Sequence, residues 1–242
     1  MDLQQIQHEY DHHIRPEIES LFAEVVAAVE DNPAVQPFFK GWRVFFGPVL
    51  ANPKVLLIGI NPGNGQEGSN WREGSRDADF WSSDWEFEYT QYDYALARET
   101  REMFAAAGLS QVLAAATVKT NYCFLSTTRM AELEQLTDGL GRTADGQEDL
   151  GTRVYHKSEE WIRRLIALLN PQVVVCEGST AFKWVRPLFP TQSVEEVWDN
   201  DRHCGYAVFG DHAPALIGYG RTPFTIRNKS AAAELLKKFI TP

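Results

Sequence analysis

The sequence predicts an α/β protein, a three-layer α/β/α sandwich around a central, mainly parallel four-stranded sheet. Short apolar runs bounded by Gly, Pro or Asn recur along the chain, as is typical of strands buried on both faces. Amphipathic segments with helical spacing separate these runs, and such alternation favours parallel strands joined by helices. No repeat or linker divides the 242 residues. We therefore expect one domain over 1–242, with an N-terminal helical segment, 1–50, packed on it.

The elements follow from the pattern in chain order. Apolar residues from Ile14 to Val29 recur with helical spacing, and a proline is tolerated in the first turn. The four core strands are predicted at 55–60, 118–125, 173–178 and 214–220. Further helices are predicted at 94–107, from Ser158 as N-cap to 169, after Ser179 as N-cap, and at 230–240. Segments near 194–198 and 206–209 predict a hairpin, and the polar stretches 64–93 and 137–153 predict long loops.

Composition limits the class of function. The chain has 44% hydrophobic and 23% charged residues, no apolar run long enough to span a membrane and no secretory leader, so we expect a cytoplasmic protein. Its three scattered cysteines predict reduced thiols and argue against a four-cysteine iron–sulfur or zinc site. We expect no metal site and no cofactor. The net charge of −10 counts against bulk attraction to nucleic acid. A local basic rim remains compatible with DNA as a partner, because salt screens distant charges.

The first predicted strand ends in the sequence "GINPG". Ligands of parallel α/β sheets bind at the carboxyl ends of the strands. Pro62 restricts Asn61 to extended geometry, and Gly63 allows a steep turn and a close approach to a ligand. The Asn61 amide therefore projects from a stiff corner. Two interpretations stay open: it orients a water, or it caps its own turn.

The segment "VLLIGINPG" resembles the first motif of the uracil-DNA glycosylase superfamily. The likeness is closest to the mismatch-specific and single-strand-selective branches, where Asn replaces the catalytic Asp of the main branch. "TNYCFL" is similar to the second core strand of the superfamily, and Asn121 matches the Asn that hydrogen-bonds the base there. "LNPQVVVCEGSTAFK" resembles its helix–strand–Gly–helix element, and "PALIGYGRTPFT" stands where the last strand feeds the second catalytic loop. The resemblance runs from about residue 54 to the C-terminus.

The resemblance implies a monomer with the glycosylase-like version of the sandwich, which hydrolyses the N-glycosidic bond of a flipped-out uracil or related damaged base in DNA. It implies catalytic roles for Asn61, which would position water, and Arg221, which would stabilise the leaving anion. The implied substrate-binding residues are Ile60, Gly63, Phe80, Trp81, Asn121 and Tyr219. The implied DNA contacts are Arg221, Phe224 as a wedge, Arg227 and Lys229.

The second loop departs from the superfamily pattern. Most active members carry His-Pro-Ser there, whereas this chain reads "YGRTPFT" without a histidine. We therefore expect a slow glycosylase or, as the alternative, a catalytically weak or inactive nucleobase- or nucleotide-binding module on the same fold. Arg221 in a surface salt bridge, Phe224 in the core and a hydrolase of small nucleosides also stay open. Glu177 after the third strand is either a second acid or a carboxylate at a helix start.

Overall fold

The computed structural model describes residues 1–63, 81, 87–141, 148–210, 213–222 and 224–241. A six-stranded sheet lies at the centre of these residues. Its strands are β1 (Val55–Gly59), β2 (Thr117–Asn121), β3 (Val173–Glu177), β4 (Glu195–Asp199), β5 (Cys204–Val208) and β6 (Ala215–Tyr219). Their order across the sheet is β2-β1-β3-β6-β5-β4. β2, β1, β3 and β6 are parallel, and β5 and β4 continue the sheet in antiparallel pairing.

The predicted α/β class and the mainly parallel pairing are confirmed, whereas the prediction of four strands is wrong. The predicted hairpin joins the same sheet, because β5 pairs with β6 and places Tyr206 opposite Ile217. Without β5, the edge of β6 would expose a row of unpaired backbone groups. β4 then becomes the edge strand, and its Glu195 and Glu196 are exposed.

The other edge of the sheet is covered by the N-terminal part of the chain. Phe45 forms an antiparallel bridge with Thr120, and Trp42 forms another with Leu125. β2 ends at Asn121, so it is shorter than the predicted 118–125 strand. This placement gives the N-terminal segment direct contact with the strand that carries Asn121.

Helices connect the strands. They are α1 (Leu3–Glu9), α2 (Arg15–Glu30), α3 (Glu88–Gln91), α4 (Ala95–Ala106), α5 (Ser110–Ala115), α6 (Met130–Gly139), α7 (Leu150–Leu169), α8 (Ser179–Val185) and α9 (Lys229–Phe239). A π-helical turn, Tyr10–Ile14, joins α1 to α2, and a 3₁₀ turn, Arg186–Leu188, follows α8. The predicted loop 64–93 contains α3 at its end, and residues 64–80 and 82–86 of it lie outside the described part of the chain.

Each face of the sheet carries its own apolar cluster. Side chains of β1 alternate between them: Leu56 and Ile58 belong to one cluster, and Val55 and Leu57 belong to the other. Helices α1, α2, α6, α7 and α8 contribute to the first cluster, and α3, α4, α5 and α9 contribute to the second. A fully buried Leu or Ile contributes about 1.5–3 kcal/mol relative to an exposed one. The continuous apolar runs of the sequence are therefore explained by burial on both sides.

Within the predicted loop 137–153, residues 137–139 belong to α6 and 150–153 to α7, whereas 142–147 lie outside the described part of the chain. The predicted start of α7 is wrong. The N-cap of α7 is Asp149, whose Oδ1 accepts a hydrogen bond from the Thr152 amide at 2.8 Å, while Ser158 is buried inside the helix. Gly151 lies inside α7, where it serves close packing rather than a turn. A Cβ on Gly151 would lie 2.1 Å from the carbonyl oxygen of Thr137 in α6. The bare backbone of α7 thus lets the two helices approach closely.

Candidate functional site

Polar residues collect at the carboxyl edge of the parallel strands. Gly59 at the end of β1 lies opposite Asn121 at the end of β2, and Glu177 at the end of β3 lies opposite Tyr219 at the end of β6. Two of these, Asn121 and Tyr219, are predicted site residues. Both are buried, with exposed fractions of 2% and 0%. The order of the sheet therefore brings residues from distant parts of the sequence to one edge.

Gly59 makes room for the side chains on both sides of it. A Cβ at this position would lie 2.2 Å from Asn121 Oδ1 and 3.4 Å from Glu177 Oε2. The first of these distances is far below any normal contact, so a side chain on Gly59 would displace the carboxamide. The missing side chain thus creates the place where Asn121 and Glu177 approach each other.

The Asn121 carboxamide has an unused donor. Its Nδ2 is buried, and no described residue accepts a hydrogen bond from it. Leaving a buried amide donor unpaired costs about 1–3 kcal/mol, and native proteins hold few such groups. A ligand that accepts this hydrogen bond would recover that free energy. The position therefore offers a buried, unpaired hydrogen-bond donor.

Glu177 is the centre of a buried polar network. Its Oε1 accepts a hydrogen bond from the Tyr89 hydroxyl at 2.7 Å, and its Oε2 lies 3.7 Å from Lys119 Nζ. The Lys119 ammonium also lies 4.2 Å from the ring centroid of Phe46 and 4.9 Å from that of Tyr89. Burial, together with the Glu177 carboxylate, raises the pKa of Tyr89 well above its usual value, so Tyr89 stays a hydrogen-bond donor. The same two causes raise the pKa of Tyr219.

Sequence reasoning missed most of this network. Glu177 does not cap the following helix, because the N-cap of α8 is Gly178 and no side-chain cap is formed. Lys119 was a local sign of the network in the sequence, since a lysine within a doubly buried strand requires a partner of opposite charge. Its carboxylate partner lies 58 residues away, and the sequence offered no way to pair them. Tyr89 lies in the stretch predicted as a loop.

Asn61 lies just beyond β1 and is half-buried. Its Nδ2 donates to Thr127 Oγ1 at 2.9 Å and to the carbonyl oxygen of the next residue, Pro62, at 3.3 Å. Thr127 Oγ1 in turn donates to the Arg129 carbonyl at 2.9 Å. Asn61 Oδ1 accepts no hydrogen bond from the described residues. The amide is thus held with its oxygen available, an orientation that suits a water molecule as donor.

The other residues of the predicted substrate pocket differ in placement. Ile60 is buried, whereas Gly63 is exposed. A Cβ added to Gly63 would have no described atom within 4 Å. Trp81 is half-buried, and its ring centroid lies 5.7 Å from that of Tyr10. The contact with Tyr10 places Trp81 against the N-terminal segment. Phe80 lies outside the described residues.

Arg221 begins the second loop beside Glu177. Its Nε donates to the Glu177 carbonyl at 2.8 Å, and its backbone bridges to Ile226. Between them, the Thr222 amide donates to the Thr225 carbonyl at 2.9 Å. Phe224 projects from this tight turn with an exposed fraction of 69%. The turn therefore presents an aromatic side chain to solvent from a backbone fixed by hydrogen bonds.

The two remaining predicted DNA contacts differ in their surroundings. Arg227 is exposed, and no described carboxylate forms an ion pair with it. Lys229 is bound by two carboxylates: its Nζ lies 2.8 Å from Glu99 Oε1 and also contacts Glu102. Glu99 further accepts the Ile226 amide at 2.9 Å. Lys229 therefore anchors the second loop to α4, and its charge is balanced there.

The described residues contain no group of three His, Cys, Asp or Glu side chains arranged to hold a metal ion. No described helix is both long enough and apolar enough to cross a membrane. Comparison of the chain with protein-family models and with curated proteins finds no match.

Proposed function

We propose that this chain is a uracil-DNA glycosylase-like protein that hydrolyses the N-glycosidic bond of a flipped-out uracil or related damaged base in DNA. The observation that carries the proposal is the buried Asn121 carboxamide, whose donor is unused, at the carboxyl edge of the sheet. The three-layer, glycosylase-like arrangement of sheet and helices is part of the same proposal. It is supported by the "GINPG" and "TNYCFL" motifs and by the two apolar clusters that flank β1.

Asn121 would read the base. A carboxamide both donates and accepts, so it complements a pyrimidine edge that offers a carbonyl oxygen next to an N–H group. A base without that pattern would leave the buried amide unpaired, which is how a polar pocket rejects an analogue. The Glu177 network supports this role because it fills the far side of Gly59 with fixed polar groups. Taking the base out of the stack costs a few kcal/mol, which the pocket must offset.

Asn61 would position the attacking water. Thr127 holds its Nδ2, which leaves Oδ1 to accept a hydrogen bond from water and to aim the lone pair of that water at the sugar. An amide does not remove a proton as a carboxylate does, so the expected rate is low. Arg221 would stabilise the base as it leaves with negative charge, since electrostatic stabilisation is usually the largest catalytic effect. Its hydrogen bond to the Glu177 carbonyl fixes it at the strand ends.

The second loop would contact the DNA. Phe224 is an exposed aromatic side chain on a turn held by Thr222 and Thr225, as a wedge between bases requires. Arg227 would contact phosphate, and Lys229 would hold the loop in place through Glu99. Because the whole chain carries a net charge of −10, these contacts must be local.

The direct test is base excision. We expect the folded protein to release uracil from single-stranded or U·G duplex DNA, and we expect Asn121→Asp to abolish release because it keeps the shape but removes the donor. Asn32→Asp on the N-terminal segment is the matched control, because it makes the same substitution away from the site. No product from either DNA with folded wild-type protein would refute the hydrolase, and equal activity of the Asn121→Asp variant would refute the assigned role.

A non-catalytic nucleobase-binding module is the second candidate. It is favoured by the partners of Asn61, which are a threonine and a backbone carbonyl rather than a carboxylate or histidine. The only carboxylate beside Asn121 in the described part of the site is Glu177, which is buried and ion-paired. Saturable binding of free uracil without turnover on any uracil-containing DNA would identify the module. Loss of that binding in Asn121→Asp would show that the same amide is used.

A further inference from the structure

A cavity lies between α8 and the β4–β5 hairpin, apart from Asn61 and Asn121. Its volume is about 440 Å³, within the range of small-ligand pockets, and neither of those residues is in its described lining. Lys183, Arg221 and Arg227 line it, together with His203. No carboxylate is among its described lining residues. In a chain with a net charge of −10, this is a local concentration of positive charge.

Two of these cations lack the ion pairs that are common elsewhere on the molecule. Neighbouring Arg186 is paired with Glu196 at 2.8 Å, and Lys229 is paired with Glu99 and Glu102. Lys183 and Arg227, in contrast, form no ion pair with any described carboxylate. Both are therefore available to an anion, and their positive charges share one concave space.

Gly220 lets the side chains of His203 and Arg227 approach the backbone closely. A Cβ on Gly220 would lie 3.1 Å from His203 Cβ and 3.6 Å from Arg227 Cδ. The backbone here is also fixed, because the Gly220 amide donates to the His203 carbonyl at 2.6 Å and the Arg227 amide donates to the Gly220 carbonyl at 2.9 Å. The cationic wall is thus built on hydrogen-bonded backbone. Such preorganisation reduces the entropic cost of binding an anion.

Aromatic rings form another wall of the cavity. The rings of Phe182 and Trp198 are 5.1 Å apart between centroids, and Trp198 is half-buried. Its indole lies over Gly205 of β5, where a Cβ would come within 2.7 Å of Trp198 Cε3. A base that stacks on an aromatic side chain gains about 5- to 150-fold in affinity. An aromatic wall beside a cationic one therefore suits a planar base joined to a phosphate.

We propose that this cavity binds a nucleotide phosphomonoester, with the phosphate held by Lys183, Arg221 and Arg227 and the base against Trp198. A phosphomonoester carries up to two negative charges, so it matches three cations better than a phosphodiester does. The ligand is either a free mononucleotide or the phosphorylated end of a strand. The cavity shares Arg221 and Arg227 with the proposed DNA-facing loop but includes neither Asn61 nor Asn121 in its described lining, and the proposal does not depend on excision.

The test is a calorimetric titration of the full chain with deoxyadenosine 5′-monophosphate, deoxyadenosine and inorganic phosphate at low salt. We expect the nucleotide to bind more tightly than either part alone. Lys183→Gln and Arg227→Gln should each weaken nucleotide binding about tenfold, the effect of losing one charge-assisted hydrogen bond. Lys237→Gln, a matched change on the exposed side of α9, should leave it unaltered. Trp198→Ala should weaken the nucleotide while sparing inorganic phosphate.

An octathymidylate with and without a 5′-phosphate distinguishes the two sources of the ligand. Binding of the mononucleotide alone identifies a free nucleotide, and binding of the oligonucleotide only when phosphorylated identifies a strand end. The proposal is overturned if neither of these ligands binds up to millimolar concentration, if inorganic phosphate binds as tightly as the nucleotide, or if neither charge substitution weakens binding. Equal binding of both oligonucleotides without mononucleotide binding also overturns it.

Discussion

The buried ion pair between Glu177 and Lys119 makes a quantitative prediction about stability. Glu177→Gln keeps an acceptor for the Tyr89 hydroxyl but removes the negative charge that faces Lys119. Two unit charges separated by 3.7 Å attract each other by about 4.5 kcal/mol at an effective dielectric constant of about 20. The exposed fraction of the side chain is only 7% for Lys119 and 1% for Glu177, so water cannot replace the lost partner. We expect the free energy of unfolding to fall by about 3–5 kcal/mol, as when one partner of a buried pair is removed.

Urea unfolding followed by far-ultraviolet circular dichroism measures this loss. The double variant Glu177→Gln, Lys119→Met should recover most of it, because replacing both charges removes the uncompensated cation. Glu196→Gln breaks the more exposed pair with Arg186 and serves as the matched control, with an expected loss of about 0.2–1 kcal/mol. A loss below about 1 kcal/mol for Glu177→Gln, or strictly additive effects in the double variant, would refute the inference of a buried, coupled pair.

Three further predictions concern the same region and the thiols. Gly59→Ala should lower the free energy of unfolding in urea by about 1–3 kcal/mol and abolish uracil binding, since the new Cβ collides with Asn121 Oδ1; wild-type binding would contradict this. Burial raises the pKa of Tyr89 and Tyr219, so above about pH 10 the unfolded state releases protons that the folded state retains. Stability should then fall by about 1.4 kcal/mol per pH unit for each tyrosine, and urea midpoints that stay constant from pH 9 to 11 would oppose this. Burial raises the pKa of Cys123 to about 11 and all three cysteines are buried, so a thiol reagent at pH 8 should label none before urea is added and three afterwards; rapid labelling of native protein would argue against the packing.

The parallel part of the sheet could be predicted from sequence because its signal is local. The strands β1, β3 and β6 are short, mostly apolar runs that end at Gly59, Glu177 and Tyr219, and burial on both faces leaves no alternation to confuse the pattern. The position of the β4–β5 hairpin was different. The pattern near 194–198 and 206–209 predicts the hairpin itself, but only the open edge of β6 explains why the hairpin joins the sheet. That edge is a property of the assembled strands.

The candidate site likewise has a part that the sequence predicts and a part that it does not. Asn61 and Asn121 stand in short motifs at strand ends, so sequence could name them. The Glu177 network could not be assembled, because Tyr89, Lys119 and Glu177 are separated by 30 and 58 residues. Strand order brings Glu177 and Asn121 to either side of Gly59, and strand order is set by long-range pairing rather than by any local pattern. The cationic cavity likewise combines side chains from α8 and the second loop.

Both edges of the sheet disfavour pairing with a further strand. Along β2, the segment that contains Trp42 and Phe45 already occupies the outer backbone groups. Along β4, a strand from another molecule would have to align beside Glu195 and Glu196, whose charges it would have to desolvate. Edge-to-edge polymerisation, the route by which apolar sheets grow into fibrils, is therefore discouraged at each edge by a different feature: steric occupancy on one side and the cost of desolvating two carboxylates on the other.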